Sequence, residues 1–397
     1  VSAQDAAPRT DERPVGESAD APPAASAVGE VAPAASRDPD RPSTADPAAP
    51  TSRGTAARRV ILFTGLALAL VAVAVVAAMS GQLHLPAGEV WNSILRALGL
   101  TDVPESVPNA DAALWTIRFP RIVMAILIGA ALAVAGTIMQ AVFSNPLAEP
   151  GVVGVSSGAA LGAAAAIVFG WTAAGDWVTA AIAFGTGILT TFAVYFASRS
   201  GGRTEVVTLV LTGIAVNAFA SGGLALLTFL GDNQSREEIV FWQLGSLNGA
   251  RWEEVQVMLP VIAAALVAGF ALARRLDLFS LGERGARHLG VNVERTRVIS
   301  IVVVAVLTGA AVAFAGIIGF VGLIVPHLMR MVIGPSHRGL IAASALGGAL
   351  LLLTADLVAR TAVPMADLPI GMLTSLVGGP FFFWLLRRQR RKSGGWG

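Results

Sequence analysis

The chain has 397 residues, of which 54% are hydrophobic and only 14% charged, with 43 glycines, no cysteine and a formal net charge of +2. Soluble domains are roughly a quarter charged, and a chain this apolar would expose more greasy surface than water tolerates, which excludes a soluble multidomain enzyme. The lack of cysteine excludes disulfides, thiolate metal sites, cysteine-held iron–sulfur clusters and cysteine nucleophiles.

The charges are unevenly placed. Residues 1–57 contain no aromatic side chain, are rich in Ala, Pro, Ser and Asp, and carry nine acids against five arginines, a net −4. The remaining 23 basic and 17 acidic residues give +6. Low hydrophobicity with dispersed proline cannot offset the entropy of ordering, so 1–57 is expected to be a disordered tail, either a partner-binding arm or a plain linker. The first apolar run, Val60 to Met79, begins too late and runs too long for a signal-peptide core, and is expected to remain as an anchor.

Each bilayer crossing needs about 20 mostly apolar residues. Ten candidate spans follow in chain order, near 60–80, 119–141, 151–170, 176–198, 205–230, 255–274, 297–316, 318–334, 338–360 and 368–388. The expected fold class is an all-α integral membrane protein with a ten-helix permease domain at 58–392. Ten spans put both termini on one side. With the termini inside, Lys and Arg beyond residue 52 divide 18 inside to 6 outside, the six being Arg96, Arg118, Arg121, Arg236, Arg251 and Arg360. That bias predicts cytoplasmic termini.

An offset of 180 residues aligns Gly129-Ala-Ala-Leu-Ala-Val-Ala-Gly136 with Gly309-Ala-Ala-Val-Ala-Phe-Ala-Gly316 at six of eight positions. The same gapless offset pairs Pro146 with Pro326, Gly154 with Gly334, Ser156 with Ser336 and Asp176 with Asp356. By parity the second and seventh spans run oppositely, so a repeat of spans 2–5 in spans 7–10 would be inverted, a construction typical of transporters. Small residues at these positions, and the spacing of Gly158 and Gly162, favour close helix packing.

Catalytic constellations are missing from the sequence. A P-loop needs a lysine on the phosphates, and the only lysine is Lys392. The four histidines are scattered, no metal site is expected, and Asp356 stands four residues before Arg360, as a helical ion pair would. The loop at 276–296 does carry design. Ser280 and Glu283 have capping-box spacing, Gly290 is placed to end a short helix, and Leu281, Ala286 and Leu289 would give that helix a small apolar face. So short a helix is marginal alone and needs something to pack on: the membrane surface, the protein's own spans or a cytosolic subunit.

From Arg118 to the C-terminus the chain resembles the FecCD-type permease subunits of ABC importers for ferric siderophores, haem and cobalamin. The matching segments are Arg118-Phe-Pro-Arg121, Asn145-Pro-Leu-Ala-Glu-Pro-Gly151, Gly154-Val-Ser-Ser-Gly-Ala159, Phe241-Trp-Gln-Leu-Gly-Ser-Leu247, the Ser280–Val291 loop, Gly319-Phe-Val-Gly-Leu-Ile-Val-Pro-His327 and Asp367-Leu-Pro-Ile-Gly371. The resemblance implies the type II importer architecture in the bacterial cytoplasmic (inner) membrane. It also implies a second permease subunit (homo- or heterodimer), two cytosolic ATPases holding ATP and Mg, and an extracytoplasmic substrate-binding protein. The lipid bilayer is a further partner, and no nucleic acid is expected.

The family places ATPase coupling on the counterparts of Ser280, Leu281, Gly282, Glu283, Ala286, Leu289, Gly290 and Val291. It places binding-protein docking on those of Arg118, Arg121 and Arg360, and a cytoplasmic gate at those of Asn145 and Leu147. Near 204–207 the chain departs from the family's small-hydroxyl gate pattern, and no gate residue is assigned there. Gly213, Asn217 and Ser221 recur every four residues on one face of the fifth span and are candidates to line the path, although Asn217 also suits an interhelical hydrogen bond. The expected function is a non-enzymatic, ATP-driven importer permease for an iron–siderophore complex. Haem or cobalamin is the alternative within the family, and an ion-gradient-driven secondary transporter is the alternative outside it.

Overall fold

The computed structural model describes residues 52–175, 177–200 and 203–392. Helix α1 (Ser52–Met79) is followed by the short α2 (Ala87–Ala97). A single turn, α3 (Ala110–Ala112), then continues through a π-helical segment (Ala113–Arg118) into α4 (Phe119–Val142). Next come α5 (Val155–Val168), α6 (Trp177–Ala197), a two-residue ribbon of β1 (Arg199–Ser200) and β2 (Arg203–Thr204), α7 (Val206–Leu230) and α8 (Asn233–Leu244). The chain continues through α9 (Trp252–Phe279), α10 (Gly282–His288), α11 (Val293–Ala315), α12 (Val321–Ile333), α13 (His337–Thr361) and α14 (Ile370–Lys392).

Among the described residues seven helices are long and apolar enough to cross a bilayer, and α5, α12 and α14 are shorter apolar helices. Together they coincide with the ten predicted spans. Residues 52–57 of the predicted tail already belong to α1, and the rest of that tail lies outside the described residues. The loops of the sequence reading hide two further helices, α2 and α8, too short and too polar to register as spans.

Burial ranks the helices. The apolar window of α4 is 83% buried and that of α1 only 6%, so α4 is the axis of the bundle and α1 lies on its edge against α13. Helix α4 can be enclosed because its sides are nearly bare. A β-carbon at Gly129 would lie 2.2 Å from the carbonyl oxygen of Gly348 in α13, and one at Gly136 would lie 1.9 Å from that of Gly322 in α12. The Gly158/Gly162 pair is used in the same way: β-carbons there would meet Thr190 and Thr186 of α6 at 2.2 and 2.1 Å. Without a hydrophobic drive between helices in lipid, such close approach is what holds them together.

The packing has the pseudo-symmetry of the repeat. Helix α4 packs on α13 as α11 packs on α6, and α5 on α6 as α12 on α13, the pairings expected when spans 2–5 recur as 7–10. The gapless register is corrected, however. An offset of 180 carries α4 onto α11 but sets α12 against 141–153, which is the last two residues of α4, a loop and a 3-10 turn. Pro146 precedes a helix whereas Pro326 lies inside one, Gly154 begins α5 whereas Gly334 ends α12, and Asp176 lies outside the described residues. Beyond the Gly136/Gly316 pair, the Pro, Gly and Ser coincidences are not equivalent positions.

At the end of the bundle away from α10, three of the quoted motifs meet through bare backbone. Ser246 N–H donates to Ala315 O and Ile370 N–H to Gly245 O, each at 2.9 Å. β-carbons at Gly316 and Gly371 would fall 2.1 Å from Trp242 O and 2.3 Å from Ile317 O. Arg96 bridges Glu89 (2.6 Å) and Asp111 (2.7 Å), closing α2 onto α3. The Ser106 hydroxyl and Arg96 hold the Glu89 carboxyl below the usual carboxylate range, against its burial.

Replacing Gly136 with Val should lower thermal stability by about 1–3 kcal/mol through overpacking against Gly322, whereas Gly185→Ala, with open space around it, should be neutral or slightly stabilising. Thermal unfolding of the detergent-solubilised protein compares the two. Because Glu89 is depressed in the folded state, the stability it contributes is present above its unfolded pKa of about 4.3 and lost as pH falls through the folded value. Amide protection factors across residues 87–97, taken against the intrinsic exchange rate at each pH, should therefore fall below about pH 4 in the parent, and that pH dependence should flatten in Glu89→Gln.

Candidate functional site

Helices α9 and α11 are joined by residues 280–292, narrower than the 276–296 expected, and α10 forms the middle of that connection. Its end is built as the sequence predicts. Gly290 takes φ +81°, its N–H donates to Arg287 O (2.9 Å), and Val291 N–H reaches Ala286 O (3.0 Å), a Schellman closure. The start is not. The Ser280 hydroxyl donates back to Asp277 O at 2.6 Å, the N-cap is Leu281 with no side-chain cap, and the expected capping box is absent. Glu283 is drawn away by two arginines, Arg287 at 3.1 Å and Arg297 closer still.

The predicted apolar face splits. Ala286 is buried in a small cluster with Phe279 and Val293, against which Leu278 and Val291 pack, while Leu281 and Leu289 point outward, 60% and 59% exposed. Helix α10 is thus anchored by one methyl group and presents two leucines to whatever lies beyond. Gly282, at φ +80°, allows the chain to turn from α9 into it.

Beside α10 a cleft of about 500 Å³ is lined by Asn145, Leu276, Ser280, His327, Arg330 and His337. It brings together the expected gate at Asn145 and the start of the expected coupling loop. The Asn145 side chain accepts from Leu147 N–H (2.9 Å), fixing the turn after α4, and Leu147 is half-buried. Asp277 accepts both the backbone N–H of His337 and a contact from its ring Nδ1, each at 2.7 Å, and so ties the last turn of α9 to the first of α13.

On α7, the face carrying Gly213 and Asn217 is turned to α5 and to the 3-10 turn that precedes it. A β-carbon at Gly213 would be 2.0 Å from Val152 O, and Ser157 Oγ donates to Asn217 Oδ1 at 2.5 Å. Of the two readings of Asn217, the interhelical hydrogen bond is the one present. Within this chain Gly213 is buried and Asn217 half-buried at this contact, and Ser221 is exposed.

Arg118, Arg121 and Arg360, the three arginines expected to meet a binding protein, lie together in the structure. Arg118 and Arg121 are buried and Arg360 is half-buried at the end of the bundle opposite α10, and most of their donors are engaged within the chain, Arg360 Nε excepted. Arg121 bridges Asp356 and Asp367, both at 2.8 Å. Arg118 donates to the carbonyls of Ala78 and Leu83, and Arg360 to those of Ala77 and Ser80 (3.0 Å to the latter). The sequence paired Asp356 with Arg360, but that contact is the looser one, at 3.7 Å. The physical reason is the unfinished end of α1, whose last carbonyls have no intrahelical partner and recruit guanidinium groups. At the same end a cleft of about 730 Å³ opens between α8 and the loops, lined by Gln234, Glu237, Glu238, Phe241, Trp242 and Phe314.

Sequence reasoning missed a polar cluster behind α10. Arg297 Nη1 donates to Thr204 O (2.6 Å), and Glu294 accepts from the hydroxyls of Thr204 (2.7 Å) and Tyr195 (3.1 Å). An arginine and a glutamate three apart at a helix start, with the chain's single tyrosine on another helix, gave no local signal.

Arg121→Met should cost about 3–5 kcal/mol, because it strands the buried Asp356 carboxylate. Combining it with Asp356→Asn should recover part of that loss. A double-mutant cycle on thermal stability reads the coupling, and additive effects would mean that the two do not interact.

The comparisons with known proteins agree with this geometry. The FecCD transport family matches residues 67–388. The hemin transport system permease protein HmuU of Yersinia pestis is 41% identical over 333 residues, covering 83% of this chain and 96% of that protein. The cobalamin import system permease protein BtuC of Halobacterium salinarum is 43% identical over 287 residues, 72% of this chain and 75% of its own length. Among solved structures, a metal-chelate-type ABC transporter in an inward-facing conformation superposes with a TM-score of 0.70 at 34% identity, covering 83% of this chain and 99% of that one. A ten-span bundle of this packing, matched along most of its length by these permeases, belongs to the FecCD transport family of ABC-importer permease subunits.

Proposed function

We propose that this permease carries a metal-centred tetrapyrrole of the haem or cobalamin class, in place of the siderophore expected from sequence. The observation that carries the reading is the 41% identity to the hemin permease HmuU across nearly the whole of that protein, with cobalamin permeases also among the relatives. The cleft beside α8 supports it, since Phe241, Trp242 and Phe314 offer flat apolar surface for a planar macrocycle in a volume suited to a small-molecule ligand.

In this reading the chain pairs with a second permease subunit, the end bearing α10 lies in the cytoplasm of a bacterial inner membrane with both termini, and the opposite end receives cargo from a binding protein. ATP and Mg are held by two separate ATPase subunits. They dock on α10, whose exposed Leu281 and Leu289 would otherwise face water. The 18-to-6 arginine and lysine bias supports this orientation.

Proteoliposomes holding the assembled importer and its binding protein, with ATP inside, should accumulate haemin or cyanocobalamin and discriminate against a ferric siderophore. Preferential siderophore uptake would overturn the cargo reading, and uptake driven by an ion gradient without ATP would overturn the ATPase partnership. Leu281→Asp with Leu289→Asp should abolish co-purification of the ATPase while leaving the permease folded. Retained assembly would remove α10 as the docking element.

A further inference from the structure

The polar cluster behind α10 has the form of a mechanical link. Arg297, near the start of α11, has a side chain only 4% exposed, whereas its partner Glu283 on α10 is 47% exposed. The guanidinium donates in one direction to Glu283 and in the other to Thr204 O, the last residue of β2 in the turn between α6 and α7. Its Nε has no hydrogen-bond partner, and Glu294 stands 3.6 Å off as the second anion. One turn of α11 thus holds the α6–α7 turn from two sides, since Glu294 also accepts the Thr204 N–H (3.3 Å) and hydroxyl and binds Tyr195 of α6.

The geometry points to Arg297 as a positioning residue that links α10 to the α6–α7 turn, so that displacing Glu283 moves Thr204 and the start of α7. The physical reason is the difference in burial. Glu283 sits beside the two exposed leucines, so a partner seated on α10 acts on it first. A buried guanidinium that loses a carboxylate cannot remain in place without a replacement partner. Arg297 must then lean further on Glu294 and Thr204 or swing out, and either movement changes the hold on the turn. That the partner is an ATPase rests on the proposed function. The link itself does not.

The chain's single tyrosine is an endogenous reporter of the link, because its hydroxyl donates to Glu294. Labelling the whole permease with 3-fluorotyrosine gives one 19F resonance, assigned by its loss in Tyr195→Phe, and readable in lipid nanodiscs. Glu283→Gln, a change at a half-exposed site that does not touch Tyr195, should displace this resonance in the permease alone, and Arg297→Met should displace it further. An unmoved resonance in a folded Glu283→Gln protein would overturn the proposal.

In a second arm, adding the separately expressed, unlabelled ATPase should shift the parental resonance, and Glu283→Gln should remove that response. An ATPase that binds without moving the parental signal would overturn the link as a coupling device. An ATPase that does not bind at all would count against the proposed function, with the first arm still deciding the link.

Discussion

Everything in this bundle hangs on α4 coming within backbone contact of its neighbours. In water a helix could rely on the burial of large apolar side chains, but lipid is as apolar as leucine and gives no such drive. The chain therefore spends its glycines where helices cross: Gly129 on Gly348, Gly136 on Gly322, Gly158 and Gly162 on α6. A crossing of this kind tolerates no β-carbon, which fixes the depth and register of α12 and α13 against α4. The outer helices, α1 above all, are free to be ordinary hydrophobic cylinders.

The close-packed centre leaves ionisable groups no room except at its two ends, and the ends are built differently. Opposite α10, three arginines join α4 and α13 to the end of α1, with Asp356 buried at the centre and Asp367 at the rim. Their guanidinium groups bind the carbonyls at and just beyond the end of α1 and these two carboxylates. Breaking one such contact strands another. At the α10 end the ion pairs run from buried to exposed, through Arg297, Glu283 and Arg287. A gradient of exposure is suited to being pulled on, and a cluster centred on a fully buried carboxylate is not.

That contrast also explains the behaviour of the short helix. Helix α10 lacks the box that its first residues spell, because Glu283 is worth more to the buried Arg297 than to a backbone N–H. A charge-assisted pair outcompetes a neutral cap when one partner is desolvated. The helix is instead secured by its Schellman end and by Ala286, and remains a shallow element with two leucines outward.

The sequence by itself determined the ten spans, the end of α10, the close-packing glycines and the family, since bilayer thickness forces long apolar runs and those motifs are local. It also held the α4/α11 repeat, because that segment packs on both sides and keeps its pattern. Only the tertiary structure decided who partners whom. Asp356 belongs first to Arg121, which is 235 positions away in the chain, and not to Arg360 one helical turn along. Gly213 and Asn217 turn to α5, and the matches beyond Gly136/Gly316 dissolve because α12 falls opposite a loop. Helical spacing says which residues share a face. Which neighbour that face meets is a long-range fact, set by how the glycine crossings let the helices stack.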